Sequence, residues 1–550
     1  MKRTFLGLFL VVAFVSQSLA QAPVKVSSLE RKVAEGVTAK QMSEYLHFVA
    51  SDEMEGRNTP SRGLNTVAKF IALNLERWGF KPAGDNGTYF QNIDLSTYKV
   101  DPASTVTIDG QTLAFGADFL PNPADGSLNN APLVWGGSGW YVKSKGMDPL
   151  KGVDAKGKVV VLYAENFPKG MTFQELRALG RPGIETYMDP VANARAAGAV
   201  GVILLNTPGV AAQWDRIRRA REMGGNPSPD KLARSASMVE NFPVITLSQT
   251  GSDAVLAGTG TDLATLAKAY ADSTLPSVTF TKSVTANLKA TKVTSKTQNV
   301  VAIWEGSDPK MKNEMVAIGA HYDHVGMSPD TGCRPIGNDS ICNGADDDGS
   351  GTVAVLSIAE ALAKAPQRPK RSVLFVWHCG EEKGLWGSEY FNKFPTVDVK
   401  NVIAQLNIDM IGRSKKAGDS DPKDKDLSGE NAVYVIGKDM MSSTLGNLVS
   451  GVNSGYLKLD YDTRYDDPKD PNRFFFRSDH FNYALNGIPI TFWFDGVHVD
   501  YHQVGDEPDK IDYQKMEKVA RTIIITLWEL TAMKDRPKID KQLPPELSQR

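Results

Sequence analysis

The 550-residue sequence predicts an α/β protein built from two units. Three observations carry that reading. From residue 298 onward, short apolar runs alternate with helix-patterned segments, as strands and helices layered on one sheet should. Between residues 101 and 292 the character differs, and that block reads as a smaller, separate, strand-rich unit. The length also exceeds one ordinary domain.

Taken in chain order, the first segment is MKRTFLGLFLVVAFVSQSLAQAP. Its basic start, apolar run and small residues at Ser18 and Ala20 read as a secretory signal with cleavage expected after Ala20, too short to span a bilayer. Residues 38–81 carry Met42, Tyr45, Leu46 and Val49, then Val67, Phe70, Ile71, Leu75 and Trp78, at helical spacing. The turn-rich SDEMEGRNTPSRG separates these two helices. In the 101–292 block, VVVLY, VGVILL and PVITLS read as strands and PVANARAAGA as a helix. The same block holds Arg216, Arg218, Arg219 and Arg221, either a solvated helix face or a basic lid for substrate carboxylates.

Beyond residue 298 the strand-like runs are NVVAIW, MVAIGA, SVLFVW, VIAQLNI, AVYVIG and PITFWF. Helix-like runs cover 350–365, 384–393, 442–453 and 511–532. Pro366 sets the end of the first of these. Segments 414–430 and 460–472 are charged loops, and Asp460, Asp462, Asp466 and Asp467 fit no EF-hand spacing.

Composition narrows the function. Lys and Arg total 62 against 64 Asp and Glu, a net charge of −2, which gives no electrostatic reason to expect nucleic acid or an anionic membrane as partner. No later stretch is long and apolar enough to anchor the chain in a membrane, and no cysteine follows the signal at a lipid-anchor position. The expected address is therefore exported, periplasmic or secreted. Of three cysteines, Cys333 and Cys342 share a Gly/Pro/Asn-rich loop and are the expected disulfide, three free thiols being the alternative. Cys379 follows an apolar strand and is expected as a buried thiol.

The chemistry concentrates in GAHYDHVG, NGADDDGSG, HCGEEKGLWGSEYF, LNIDMIG and VDYHQVGDEPDKID. His321 ends a buried strand, the edge at which open α/β sheets bind ligands. Asp323 is placed to accept from its second ring nitrogen. Three consecutive acids on a glycine-bounded turn repel one another unless a cation neutralises them. Asp348 can cap the helix that follows, and the middle acid, Asp347, is the expected bridge between two ions. Glu381 and Glu382 sit together at the tip of an apolar strand, where neither is comfortable without nearby positive charge. Adjacent residues project differently, so one can bind metal while the other faces water. Asp409 ends another strand, and His502 lies in a loop before the last helix. Nitrogen and oxygen ligation of this kind suits zinc.

These five segments resemble the co-catalytic zinc aminopeptidases of peptidase family M28. The 101–292 block resembles the protease-associated (PA) domain inserted in many members. The resemblance implies the zinc-exopeptidase fold: a mixed, mostly parallel central sheet flanked by helices, with a smaller β-rich PA domain inserted. Residues 21–100 and 293–535 would form the catalytic domain, and 536–550 a C-terminal tail. One zinc would be held by His321, Asp347 and Asp409, the other by Asp347, Glu382 and His502. Glu381 would be the general base and acid, acting on water held between the two Zn2+ ions. A cis peptide is expected at Asp347–Asp348. Asp323, Asp479 and His480 would support the ligands from behind. Tyr501 would either donate to the oxyanion or simply pack.

The implied activity is removal of N-terminal residues from peptide substrates. A carboxypeptidase acting on acidic C-termini uses the same core, with the arginine segment as its support. A glutaminyl cyclase typically works with one zinc and lacks the insert. A receptor-like ectodomain would tolerate lost ligands, which are intact here. Phe474, Phe475, Phe476, Trp493 and Phe494 would form either an apolar pocket or core.

Overall fold

The computed structural model describes residues 23–548, apart from 173–174, 177–178, 180–186, 226, 233–240 and 329–330. The expected signal, residues 1–20, lies outside the described residues. Among those described, no helix is long and apolar enough to cross a membrane. The described chain divides into two compact units, one made of residues 23–93 and 297–548, the other lying within residues 94–296.

The first unit is organised on a mixed sheet. Seven of its strands are β1 (Ala290–Trp304, of which residues from Thr297 on belong here), β2 (Met315–His321), β3 (Ser372–His378), β4 (Val402–Ile408), β5 (Ala432–Ile436), β6 (Asp460–Asp462) and β7 (Ile490–Phe494). They lie in the order β1-β3-β2-β4-β7-β5-β6. The four central strands β3, β2, β4 and β7 are parallel, while β1 and β5 pair antiparallel at either side. Every residue of β2, β3 and β4 is buried, which is why these strands read as unbroken apolar runs rather than as alternation.

Helices pack in two groups. The first comprises α1 (Ser28–Ala34), α2 (Ala39–Val49), α3 (Arg62–Arg77), α4 (Gly351–Lys364), α6 (Ser443–Gly455) and α8 (Tyr513–Ala532); α5 (Trp386–Lys393) and α7 (His480–Leu485) form the second. In α2, Met42, Leu46 and Val49 are fully buried at the spacing of one helix face, and Thr38 accepts from Gln41 N–H at 3.2 Å to start it. The α4 helix stops one residue before Ala365, which is extended because Pro366 follows. The final helix begins at Tyr513, two residues later than its pattern suggests, because Asp512 caps it by accepting from Lys515 N–H at 3.0 Å.

Residues 536–548, expected as a tail, contribute to the core of this unit. Leu547 is buried in the cluster that also holds Phe474, Phe476 and Ile490. Arg536 reaches Glu314 at 2.7 Å.

The unit of residues 94–296 has an eight-stranded sheet. Its order is Gln111–Thr112, Thr105–Ile108, Ser283–Leu288, Gly126–Trp135, Val159–Leu162, Gly201–Leu204, Val244–Leu247, Phe119–Pro121. The stretch from Gly126–Trp135 to Val244–Leu247 is parallel and the flanking pairs are antiparallel. Helices Pro190–Ala196, Pro208–Met223, Gln249–Leu256 and Leu263–Asp272 accompany it, so the unit is richer in helix than its short apolar runs suggest. Pro208–Met223 carries the arginines and buries no side chain, and Arg218 is held by Asp215 and Glu222 on its own helix.

Candidate metal centre

The carboxyl edge of the parallel strands delivers the side chains. In the β2–β3 ladder His321 stands opposite His378, so the two strands end level. In the β2–β4 ladder Gly319 stands opposite Asn407, which places Asp409 at the height of His321. β3 continues through Gly380, at φ +68°, a left-handed turn that glycine adopts at no steric cost, and so presents Glu381 and Glu382 at the same edge. Residues Ala345–Ser350 make the turn ahead of α4, with Asp347 and Asp348 out of helical conformation, and the Asp347–Asp348 peptide bond is cis, as expected. His502 arrives on a loop with its own φ at +56°.

Asp347 lies at the centre. Its Oδ1 is 3.2 Å from His321 Nε2 and its Oδ2 is 3.1 Å from His502 Nε2. The two oxygens of one carboxylate thus face two different histidines. On the first side Asp409 Oδ2 is 3.7 Å from His321 Nε2. On the second, Glu382 Oε2 is 3.1 Å from His502 Nε2. Glu381 Oε2 lies 3.9 Å from His321 Nε2, away from the second histidine. Donor atoms around a tetrahedral ion with bonds of about 2.0–2.1 Å stand roughly 3.3 Å apart, the spacing seen here.

Asp348 stands close to His321 and Asp409 as well, yet its oxygens are committed elsewhere. They accept main-chain N–H groups from His321 (3.1 Å), Gly351 (2.9 Å) and Met410 (3.1 Å). One carboxylate therefore ties the ends of β2 and β4 to the start of α4, a wider task than the expected helix cap. Asp506 acts similarly behind the bridge, accepting the N–H groups of Asp346 and Asp347 at 3.1 Å.

The support of His321 differs in detail from expectation. Its Nδ1 lies 3.1 Å from the main-chain oxygen of Asp323 and 3.6 Å from the carboxylate. That carboxylate is occupied, accepting from Thr59 Oγ1 at 2.9 Å and from Glu381 N–H at 3.1 Å. Asp479 is fully buried with its Oδ2 3.4 Å from His378 Nδ1, on the strand beside His321. His480 stacks on Phe492 at 4.5 Å and meets Phe475 edge-on, so the structure surrounds it with aromatic rings. Burial in that setting lowers it to about 3, keeping it neutral.

Electrostatics follow the same division. Burial, with the charges of Glu382 and Asp409 beside it, pushes Glu381 well above the usual carboxylate range. Burial opposes ionisation of Glu382 too, but His502 and His324 hold it down at about 2. Burial disfavours the charged form of His502, and Glu382 and Asp347 overcome that and raise it to about 11. The two neighbouring glutamates thus differ: burial and like charges outweigh the pull of His321 on Glu381, whereas two histidines prevail on Glu382.

Three contributors escaped the sequence reading. His324, the second histidine of GAHYDHVG, is fully buried with Nδ1 2.9 Å from Glu382 Oε1. Its spacing three residues after His321 was the available signal. Arg57, inside the segment read only as a turn, is also fully buried. It donates to the carbonyls of Val49, Tyr322, Asn343 and Gly344 at 2.6–3.0 Å and so clamps the loops of His321 and Asp347 together. Arg477 donates to Tyr501 Oη at 3.2 Å. No periodicity marks an arginine that bonds to loop carbonyls.

A pocket opens on His321, Asp347, Glu381 and Asp409, walled by Met410, Phe474, Arg477, Phe492, Phe494, Val497 and Tyr501. Of the aromatic residues weighed from sequence, Phe474 and Phe494 line it, whereas Phe475, Phe476 and Trp493 are buried elsewhere in the core. Tyr501 stacks on His502 at 3.9 Å, and burial keeps its hydroxyl protonated and able to donate. Cys333 and Cys342 are disulfide-bonded and Cys379 is a buried free thiol.

The residues fit a divalent ion that prefers nitrogen and oxygen, such as zinc. Two imidazoles and three carboxylates converge, and buried His502 Nε2 and Glu382 Oε1 have no hydrogen bond to satisfy them.

The description peptidase family M28 matches residues 299–527. Over 215 residues the chain is 29% identical to leupeptin-inactivating enzyme 1 of Streptomyces exfoliatus, covering 38% of each chain. Over 202 residues it is 31% identical to probable leucine aminopeptidase 2 of Aspergillus fumigatus, covering 36% of this chain and 34% of that one. The matched part thus spans just over a third of the length of these curated relatives. Among solved structures, an aminopeptidase from Aneurinibacillus sp. strain AM-1 is similar at a TM-score of 0.49 and 18% identity, covering 94% of this chain and 97% of that one.

Proposed function

We propose, from the premise that residues 299–527 are a peptidase family M28 segment, that this chain is an exported di-zinc aminopeptidase. The observation that carries the proposal is the split of Asp347, one oxygen facing His321 and the other His502. His321, Asp347 and Asp409 would hold one zinc; Asp347, Glu382 and His502 would hold the other. When bound, the zinc ions make water a better acid near neutral pH and polarise the scissile carbonyl.

The remaining chemistry belongs to side chains. Glu381 lines the pocket beside His321 and is the one carboxylate of its pair not engaged by the second histidine. It takes a proton from the attacking water and returns it to the leaving amine. Tyr501, its hydroxyl oriented by Arg477, donates to the developing oxyanion. The acidic set around Glu381 and Asp409 favours a substrate with a free α-amine. Met410, Phe474, Phe492, Phe494 and Val497 form an apolar wall suited to a residue such as leucine, the residue in the relative's name. The unit of residues 94–296 we assign as the PA domain, a modulator of substrate access.

One observation favours a second reading. Arg477 lies in the pocket wall, where a guanidinium can meet a carboxylate, as a carboxypeptidase acting on acidic C-termini would require. Turnover of Leu-p-nitroanilide against an N-blocked acidic dipeptide decides between them; faster cleavage of the blocked dipeptide overturns the aminopeptidase reading. Glu381→Gln should retain both ions and lose about 10³-fold in kcat, within the range of general acid–base catalysis. Near-normal turnover would refute its role.

A further inference from the structure

We infer that His324 is a fourth protein donor to the ion held by Glu382 and His502, so that the two ions of the centre differ in how many protein donors hold them. The inference rests on the di-zinc reading above and extends it to a residue outside the five ligands.

His324 is completely buried, and its main-chain N–H is fixed on the Arg57 carbonyl at 3.2 Å. Its ring lies directly on Gly344, where a Cβ would stand 2.4 Å from His324 Cγ. The residue preceding the Ala345–Ser350 turn must therefore lack a side chain for the ring to sit as it does. From that seat Nδ1 lies 2.9 Å from Glu382 Oε1 and 3.6 Å from Asp347 Oδ2. The His324 and His502 rings meet edge to face, with centroids 5.5 Å apart.

Neither nitrogen of His324 makes a hydrogen bond, although Glu382 Oε1 is well within range. Closeness without alignment fits two groups that share a third partner better than two that bond to each other. Donor atoms of His324, Asp347, Glu382 and His502 all lie within 4.8 Å of one another. A buried imidazole with both nitrogens unsatisfied is costly, and an ion at their common point removes part of that cost.

The pocket supplies an independent line. His321, Asp347 and Asp409 line it, whereas His324, Glu382 and His502 do not. Three protein donors would hold the ion on the pocket side, and four the ion on the other side. The ion with four donors should therefore be the tighter one and the last to leave under chelation.

Titration of the full-length metal-free protein with Zn2+ alone, and separately with Co2+ while recording its visible absorption, tests this. The wild type should bind two ions in a tight and a weaker class. His324→Ala should weaken the tight class by about 100-fold or more, exceeding what loss of a residue merely supporting a ligand costs, and should change its Co2+ band. His324→Asn, which puts an amide oxygen near the place of Nδ1, should recover part of both; it also decides the matter if the alanine variant does not fold. Wild-type affinities with an unchanged Co2+ band in a folded variant overturn the role of His324 and leave the di-zinc reading standing. A wild type that binds fewer than two ions overturns the di-zinc reading itself.

Discussion

The two flanks of Asp347 are built differently. On one flank His321 and Asp409 end adjacent parallel strands in register, and Asp348 ties those ends together through three main-chain N–H groups. On the other flank Glu382, His324 and His502 come from loops, and the His502 side chain is 33% exposed. Strand ends are positioned by the sheet's own hydrogen bonds. Loops need outside fixtures: Arg57 holds four carbonyls and accepts the His324 N–H on its own carbonyl, and Asp506 sits under the bridge. A ligand on a strand inherits its precision, whereas a ligand on a loop requires a clamp.

Asp347→Asn attacks both flanks at once and should have the largest effect. An amide cannot offer two anionic oxygens, so Zn2+ stoichiometry should fall below two and activity by about 10⁴-fold, the scale at which catalytic units fail together. Retention of both ions by this variant would remove the bridge on which the comparison depends. Arg57→Met breaks the clamp alone. Four buried carbonyls lose a charged donor, and denaturant unfolding should show a loss of about 3 kcal/mol. An unchanged midpoint and slope would mean the loops hold themselves.

Tyr501→Phe leaves both flanks intact and probes only the pocket. Loss of one oxyanion donor should lower kcat by about 10²-fold with metal content unchanged. A change in KM alone would reassign Tyr501 to packing.

The smallest effect lies remote from both flanks. Burial and the neighbouring Glu30 raise Glu529, on the final helix, from 4.5 to about 7. Between those values the folded carboxyl holds a proton that the unfolded one has released. Its contribution is therefore fully present below pH 4.5 and is lost as pH rises through 7. Glu529→Gln should raise stability at pH 8 by about 1 kcal/mol, a figure reduced for solvent screening, and should change nothing at about pH 4.5. Equal melting shifts at both values would exclude the pairing.

Legibility in the sequence follows the same division as the flanks. β2, β3 and β4 could be read from unbroken apolar runs, and the acids that end them were conspicuous because such strands have no other reason to stop on a charge. His502 stands out as a histidine in an acid-rich loop, but only the resemblance implies its partners, since nothing in local pattern places a loop histidine against Asp347. Arg57 and His324 were passed over for the same physical reason: their partners are loop carbonyls and a carboxylate brought together only by the fold. Aromatic residues behaved likewise. Alternation along β7 turns Phe492 and Phe494 toward the pocket and Trp493 away, but strand pattern alone does not say which side of a buried sheet faces a ligand.

The left-handed backbone at His502 has a practical consequence. Among the proposed donors it alone has positive φ, a conformation glycine occupies freely and other residues adopt at some cost. Replacing it with glycine would relax the main chain while opening a hole of imidazole size that reaches solvent. Free imidazole added to such a protein could enter and stand in for the missing ring. The loop that makes this ligand the least secure thus also makes it the one that a small molecule can replace, turning the centre into one switched on by an added base.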